Sequence, residues 1–437
     1  MAEQMKPSGI DWIGDIPESW KVKPLKYLAK CNQDVLLETT APDYSFRYVD
    51  IGSVTYERGI TEYQELRFED SPSRARRRVS VGDTIISTVR TYLKAIAIIS
   101  DSENVIVSTG FAVYTPDKAI YPQYLYYFCK SEGFVQEIDK NSYGIAYPAI
   151  NTDLLSRICI AYPCYEEQQV ISDFLDKECA RIDSIAADLE KQIALLQQYK
   201  KSLITETVTK GLDKFVPMKD SGNPIIGSIN YWYATKKLKY IVATPITDGP
   251  HETPVLVDDG IPFLSAESVK NGILDFEYKR GYISESDHKF FCKKIKPQKN
   301  DVFIVKSGAT TGNVGIVTVD QEFSIWSPLA LIRCDDKTVL QKFIYYCVSS
   351  NYFKHEIEQA WSYGTQQNIG MGVVENLTVV IPPVDEQKKI VHYLDDVLAS
   401  MDKMIIDKTK QLEIIQQHKK SLIYEYVTGK KRVKEVR

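Results

Sequence analysis

The stretch Glu167–Thr209 reads EQQVISDFLDKECARIDSIAADLEKQIALLQQYKKSLITETVT, and Glu386–Thr428 reads EQKKIVHYLDDVLASMDKMIIDKTKQLEIIQQHKKSLIYEYVT. The two align without a gap at an offset of 219 residues, and 20 of the 43 positions are identical. A duplication this clear implies two similar structural units in one chain, and hence a pseudo-symmetric molecule with two comparable surfaces. Within the first copy Leu175, Ile182, Leu189, Leu196 and Leu203 recur every seven residues, with Ile171, Ile185 and Tyr199 in the alternate seam position. That is a coiled-coil stripe. The second copy keeps it as Leu394, Met401, Ile415 and Leu422, with Ile390, Val397 and Met404 beside them and Lys408 interrupting the seam. Each copy follows proline, Pro163 or Pro382-Pro383, and closes near Gly211 or Gly429, which are helix start and stop signals. At 1.5 Å per residue each helix runs roughly 65 Å.

The segments between the helices repeat more weakly, as expected of a shared scaffold with divergent surfaces. Met5–Gly9 corresponds to Met218–Gly222, Leu25-Lys26-Tyr27 to Leu238-Lys239-Tyr240, Gly82–Ile86 to Asn300–Ile304, Tyr126-Tyr127 to Tyr345-Tyr346, and Ser142-Tyr143-Gly144 to Ser362-Tyr363-Gly364. The order is globule, helix, globule, helix. Short β-rich runs at Thr84–Thr88, Ala95–Ile99, Val302–Val305 and Val314–Val319 lie between turn residues, and helices are expected over Tyr121–Ile138 and Lys337–Ala360. The predicted fold is α+β: two pseudo-symmetric α+β domains separated by two long helices that pair as an antiparallel coiled coil. The expected boundaries are 1–164 for the first domain, 165–216 for the central helix region, 217–382 for the second domain and 383–437 for the last helix region.

At 437 residues and 44% hydrophobic content the chain exceeds one ordinary core. Its apolar runs fall far short of the roughly 20 residues a membrane-spanning helix needs, and Glu3, Lys6 and Asp11 break any apolar leader, so a cytoplasmic protein with no membrane contact is expected. The eight cysteines (31, 129, 159, 164, 179, 292, 334, 347) lack Cys-x-x-Cys spacing, so reduced thiols and no metal site are expected. The net charge of −4 requires any nucleic-acid surface to be local.

Catalytic patterns fail on inspection. Ser307–Asn313 is glycine-rich but lacks the lysine and spacing of a phosphate loop, and serves as well as a tight turn or a backbone approach to phosphates. Asp259 with Glu277-Tyr278-Lys279 resembles a nuclease triplet, but such groupings are common in a chain that is 26% charged. There is no Asn/Asp-Pro-Pro-aromatic tetrapeptide, and the five histidines are scattered. The chain is not expected to be an enzyme.

Local surfaces for DNA do exist. Arg74, Arg76, Arg77 and Arg78 form the densest cationic cluster, and Arg90, Tyr92 and Lys94 follow a strand-like run. Both groups suit phosphates or guanine edges, although a solvated charged loop accounts for Arg74–Arg78 equally well. The counterpart in the second globule is Lys306, Ser307, Thr310, Thr311 and Asn313. Tyr143 and Tyr147, and in the second globule Tyr363, Gln366, Gln367 and Asn368, precede the last strand of each globule. Their amides suit adenine and their phenols suit phosphate or thymine methyl groups.

Together with Ser8–Trp20, Gly82–Thr88, Tyr165–Gln169, Asp248–Pro254, Lys306–Asn313 and Pro382–Gln387, this order resembles the specificity subunit of type I restriction-modification systems over the whole chain. The resemblance implies two target-recognition domains, each binding one half of a split site in double-stranded DNA. It implies helices that set the spacing and dock two methyltransferase subunits, with restriction subunits joining. It adds His251 to the DNA contacts, leaves S-adenosylmethionine to the methyltransferase and ATP and Mg to the restriction subunit, and gives this chain no cofactor. The second copy departs from the first motif at Asn223-Pro224-Ile225-Ile226-Gly227, which loses the Asp-Trp pair, and Lys408 suggests a register device or a partner contact. Two other readings stay open: a scaffold that binds two copies of a protein partner without reading DNA, and the specificity subunit of a methylation-only defence complex. On the ruler reading, a helical turn inserted between Gln192 and Gln198 changes the spacer and not the half-sites.

Overall fold

A computed structural model of the protein describes residues 4–144, 146–360 and 368–433. The chain divides into two compact units, the first made of residues 1–190 and 410–437 and the second of residues 191–409. The long helices are Tyr165–Lys210 and Val384–Val427, and each contributes one segment to each unit. Both stop where expected, before Gly211 (φ +81°) and shortly before Gly429 (φ +71°), left-handed conformations that favour glycine.

In the first unit one antiparallel sheet has the order Ile96–Ile98, Thr84–Ser87, Phe111–Pro116, Ala29–Cys31. A second has the order Gln64–Arg67, Ser45–Val49, Val105–Ser108, Ala75–Arg78, its middle pair parallel. The second unit repeats the plan. Val314–Ile316, Val302–Val305 and Leu329–Ile332 are adjacent in one sheet, and Ile261–Leu264 pairs in parallel with Ser324–Ile325 in another. In each unit the strand leading into the long helix, Cys159–Tyr162 or Thr378–Ile381, pairs antiparallel with an early strand, Lys21–Pro24 or Ala234–Lys237.

The expected helix over Tyr121–Ile138 is two helices, Pro122–Lys130 and Glu132–Lys140, broken at Ser131. Lys337–Ala360 likewise resolves into Gln341–Val348 and Asn351–Gln359, broken beside Ser350. The physical reason is the serine: its hydroxyl bonds the carbonyl three residues back (Ser131 to Phe128, Ser350 to Cys347, both 2.6 Å) while its own backbone is extended.

Why Glu-Gln opens both copies is visible in the packing. Gln168 is fully buried; its carbonyl accepts from Tyr121 N (2.7 Å) and its amide donates to Ala119 O (3.1 Å) and Pro163 O (3.0 Å). Gln387 repeats this with Leu340 N (2.8 Å), Thr338 O (3.2 Å) and Pro382 O (2.9 Å). Glu167 accepts from Trp20 Nε1 (3.2 Å), and Glu386 from Tyr233 Oη (3.5 Å). The repeated dipeptide thus locks each helix start to its own globule through groups that are costly to leave unpaired.

Within each unit the helix segments run antiparallel. In the first, Phe174 meets Tyr426 with ring centroids 4.5 Å apart, and Asp183 pairs with Lys419 at 2.6 Å. In the second, Gln192 accepts from Lys408 and Lys200 pairs with Asp402, both at 2.5 Å. The two ion pairs are related by the 219-residue duplication with the helices exchanged. Lys408, which interrupts the heptad stripe, therefore has a partner on the opposite helix.

The stripe itself needs correction on one side. Leu175, Leu394, Ile182, Leu189, Leu203 and Met401 are buried, and Leu196, Ile415 and Leu422 half-buried, but Ile185 (41%), Tyr199 (56%) and Met404 (43%) are exposed. The covered companions are instead Cys179, Ala186, Ile193, Lys200 and Thr207, with Leu398, Ile405, Leu412 and Lys419 on the second helix. On this side small residues and the lysines of the cross-helix ion pairs interrupt Ile193, Leu398, Ile405 and Leu412, so apolar periodicity alone points to the wrong neighbour.

Many buried phenols set an alkaline limit. Burial, and then a bond to Asp176 (2.6 Å), raises Tyr127; burial and Asp395 do the same for Tyr346; burial pushes Tyr126 up to about 12. Unfolded tyrosine ionises near pH 10. The stability these groups contribute is complete below about pH 10 and is lost as pH rises from there through the folded values, by about 1.4 kcal/mol per pH unit for each phenol. Solvent-exposed phenols should ionise near pH 10 with ellipticity retained, and the buried ones only at higher pH together with a cooperative loss of ellipticity. Ionisation of every tyrosine near pH 10 with ellipticity retained would contradict this burial.

Candidate nucleic-acid interface

In the first unit the strand Thr84–Ser87 runs into a loop built around a short 3-10 turn, Thr91–Leu93, flanked by Arg90 (φ +52°) and Lys94 (φ +49°). Left-handed backbone at a non-glycine costs about 1 kcal/mol or more and persists only where neighbours impose it. Here Ser142 Oγ bonds Thr91 Oγ1 (3.1 Å), Thr91 N donates to Pro148 O (3.3 Å) and Ile150 N donates to Thr88 O (2.8 Å). Tyr143 and Ala149 exchange backbone bonds at 2.9 Å, and Val89 bridges Ala149. Two segments far apart in sequence are thus joined. They present Arg90 over the Tyr147 ring (5.7 Å) beside Tyr92 (55%), Tyr143 (65%) and Tyr147 (68%), all exposed.

Arg74–Arg78 is not a solvated loop but includes the strand Ala75–Arg78. Arg74 is held by Asp50 (3.0 Å), Arg76 stacks on Phe68 (4.7 Å), Arg77 is half-buried with its pKa lowered by burial, and Arg78 is exposed. Thr109 N donates to Arg74 O and Thr88 N to Gly110 O, so the Arg74 end of this strand adjoins the Val89–Lys94 loop.

The second unit has the same joint. Ser307 bridges Asn368, the positions that the duplication equates with Val89 and Ala149, and Ile369 N donates to Lys306 O at 2.7 Å. Lys306–Asn313 is a tight turn between Val302–Val305 and Val314–Ile316, with Gly308 (φ +103°) and Gly312 (φ +87°) supplying the backbone freedom. Thr311 is buried and its hydroxyl bonds Gly308 O (2.7 Å), while Thr310, Asn313 and Asn368 are exposed. Tyr363, Gln366 and Gln367 lie outside the described residues.

Asp248 is the residue that sequence reasoning missed. Its carboxylate is buried, yet it collects Lys294 (2.6 Å), Lys306 (2.7 Å) and His251 (3.2 Å). Burial acts to raise its pKa, but the bonds from Lys294 and Lys306 outweigh this and lower it. Lys306 is thereby a tie between the Asp248 segment and the glycine turn, only 12% exposed, whereas His251 is 72% exposed. A Cβ at Gly249 would overlap the Ile325 carbonyl, so this corner admits only glycine. No spacing rule marks Asp248; its one signal is membership of the Asp248–Pro254 stretch.

Among the described residues no group of three or more His, Cys, Asp or Glu is placed to hold a metal ion, and no helix is long and apolar enough to cross a membrane.

Comparison with known proteins places this architecture. The model for the type I restriction modification DNA specificity domain matches residues 17–195 and 254–414. The chain is 26% identical to the candidate type I restriction enzyme specificity subunit MjaX of Methanocaldococcus jannaschii, covering 97% of this chain and 96% of that protein. It is 25% identical to the EcoBI specificity subunit of Escherichia coli over 62% of this chain and 58% of that one. Its fold is shared with a chain solved in work on complex assembly and conformational transition of the type I R-M system (TM-score 0.73, 19% identity, 94% and 98% covered). The HsdS subunit from Thermoanaerobacter tengcongensis also shares it (TM-score 0.51, 20% identity, 95% and 98% covered). With the domain matched twice over most of its length, the protein belongs to the type I restriction-modification DNA specificity family.

Proposed function

We propose that the protein reads a split site in double-stranded DNA, one half through the Arg90 and Tyr143 corner and the other through the His251, Thr310, Asn313 and Asn368 corner. The observation that carries this is the duplicated bridge, Val89 to Ala149 and Ser307 to Asn368: one scaffold position holds unlike side chains in the two units. A shared frame with divergent tips is what two different half-sites require. Arg74, Arg76, Arg77 and Arg78 lie on the flank for phosphates, with Lys94, while Lys306, Ser307 and Thr311 shape the second tip. Tyr363, Gln366 and Gln367 are assigned to the same half-site on their residue types alone.

The domains on this reading are 1–164 and 217–382, with helix regions 165–216 and 383–437 as spacer and docking scaffold. The chain performs no catalysis and holds no cofactor. Two methyltransferase subunits bring S-adenosylmethionine, restriction subunits bring ATP and Mg, and the assembly works in the cytoplasm. Exposed apolar residues on the helices suit two partner copies: Ile185 and Ile414 in the first unit, Leu195 and Met404 in the second, each pair interchanged with the other by the duplication.

The test is Arg90→Gly, which removes the cation while keeping a residue suited to left-handed backbone. With the methyltransferase present, affinity for the cognate duplex should fall about tenfold to a hundredfold, and selectivity should relax in one half-site only. Equal loss over both half-sites, or no sequence preference in the parent protein, favours the protein-binding scaffold instead.

A further inference from the structure

The duplicated turn, Leu25-Lys26-Tyr27 and Leu238-Lys239-Tyr240, has no part in the two corners. In each unit it is a 3-10 turn that follows an early strand, Lys21–Pro24 or Ala234–Lys237. Leu25 and Leu238 are fully buried, and their N–H groups donate to Ile158 O (2.9 Å) and Leu377 O (3.0 Å). Packing therefore accounts for the repeated leucine. It does not account for its neighbours: Lys23, Lys26 and Tyr27 recur as Lys236, Lys239 and Tyr240, and all six are exposed, the tyrosines at 63% and 71%. At other exposed positions nearby the copies have diverged, with Glu18, Ser19 and Lys21 standing against Tyr231, Trp232 and Ala234. A surface kept alike in two units that otherwise diverge serves something both units meet in the same form.

The charge of this surface is positive. Residues 21–30 hold four lysines and no acid, and residues 234–243 three lysines and no acid. Lys26 lies 5.0 Å from the Tyr27 ring centroid and Lys239 5.2 Å from that of Tyr240, while Lys239 Nζ also donates to Asn376 Oδ1 (2.8 Å). Among the described residues none of Lys23, Lys26, Lys236 and Lys239 forms an ion pair. The helices packed against the turns, Thr152–Arg157 and Met371–Asn376, bring Asp153 and Arg157 to the first unit and Glu375 to the second. Loops that meet the chain just beyond the turns add Asp117 with Lys118, and Asp335 and Asp336 with Lys337. With these counted, the first patch is strongly cationic and the second more weakly so.

One short helix joins each turn to its corner. Thr152–Arg157 begins two residues after Ile150, whose N–H bonds Thr88 O, and ends beside Ile158, the acceptor for Leu25. Met371–Asn376 runs in the same way from beside Ile369, bonded to Lys306 O, to Leu377, the acceptor for Leu238. Six helical residues span about 9 Å, less than the roughly 12 Å width of a major groove. A turn at that distance from a groove-reading corner falls at the scale of the bordering phosphates.

We infer that the two turns are equivalent phosphate clamps: Lys23, Lys26 and Tyr27, and Lys236, Lys239 and Tyr240, hold the DNA backbone beside each half-site without reading its sequence. The inference rests on the DNA reading above and extends it. Identical side chains cannot tell unlike half-sites apart, whereas the backbone is the same for both. Lysine and tyrosine are ordinary phosphate donors, and such contacts fix register while carrying no sequence information. They also supply affinity that a chain of net charge −4 must gather locally. Two methyltransferase copies would be alike as well, but lysine is depleted in protein interfaces, so an unpaired lysine cluster suits a polyanion better.

The experiment measures binding of the full-length protein with its methyltransferase to a duplex carrying the methylated motif and to an unrelated duplex, from about 50 to 200 mM salt. Lys23→Gln with Lys26→Gln should lower both affinities by the same factor, roughly tenfold, and reduce the slope of log affinity against log salt by about 2. Lys236→Gln with Lys239→Gln should act in the same direction and less strongly. Arginine at these four positions keeps the charge and should keep the parent affinities and slope, which a role in packing would not predict. The methylated motif should stay the same in every variant. An unchanged slope in the glutamine variants overturns the inference, and so does a loss confined to the motif duplex, since the turns would then read bases. Loss of methyltransferase copies by native mass spectrometry at unchanged slope overturns it too and assigns the turns to protein docking. A parent protein that binds neither duplex fails the DNA reading and this inference with it, whereas failure of the clamps alone leaves the parent's binding intact.

Discussion

Removal of residues 410–437 is expected to unfold the first unit and spare the second. The deleted segment belongs wholly to the first unit, where Ile423 and Val427 are core residues and Leu422, Tyr426 and Val433 pack against that core. It also carries polar closures: Tyr124 Oη donates to Val427 O (3.0 Å), Tyr424 Oη to Trp12 O (3.0 Å), and Lys430 Nζ to Asp15 O (2.6 Å). Arg432 meets Glu167 at 2.9 Å. Gly429 sits so close to Pro17 that a Cβ would overlap its ring. Two fully buried aliphatic side chains contribute about 1.5–3 kcal/mol each, and the partly buried ones and lost hydrogen bonds add to that. The total is comparable to the whole stability of an ordinary domain, about 5–15 kcal/mol. Hydrogen exchange should show full loss of protection around Trp20 and Tyr124, with Phe303 and Phe343 still protected. Retained protection in the first unit would mean that its core closes without the last helix.

Lengthening both helices should move the two half-sites apart without altering either sequence. One heptad inserted between Gln192 and Gln198, and another between Asp402 and Lys408, preserves the seven-residue repeat and the antiparallel pairing. Seven residues add about 10.5 Å, close to three base pairs at 3.4 Å each. The insertions fall between contacts that fix the register, Gln192 with Lys408 and Lys200 with Asp402, so those contacts can form again on either side. The parent site, now engaged by one half only, should lose at least about a hundredfold in affinity. A site longer by about three base pairs should gain what is lost. An unchanged gap would refute the helices as a ruler.

The duplication made the architecture readable before any coordinates. A constant offset over 43 positions fixes two equal helices, and heptad leucines fix the face that is buried. What the sequence concealed follows from how little it says about pairing. Ile185 and Tyr199 looked like seam residues because they are apolar, while the true companions Lys200 and Lys419 are charged and sit inward because Asp402 and Asp183 meet them across the pair. Ser131 and Ser350 each split a predicted helix, since a serine side chain that closes on the preceding turn leaves no mark in hydrophobic periodicity. The two corners proposed to read DNA were legible as residue types but not as places. Only the bridges of Val89 to Ala149 and Ser307 to Asn368 bring the two segments of each corner together. Asp248 was invisible for the same reason, a buried carboxylate whose partners come from three separate positions.

The most direct measurement is sequencing of methylated bases in DNA from cells that carry this protein and its methyltransferase. A protein whose two unlike corners are held by one helix pair predicts a single motif in two dissimilar parts, separated by a gap of constant length and indifferent sequence. A continuous motif, or two half-motifs found at variable separation, would contradict it.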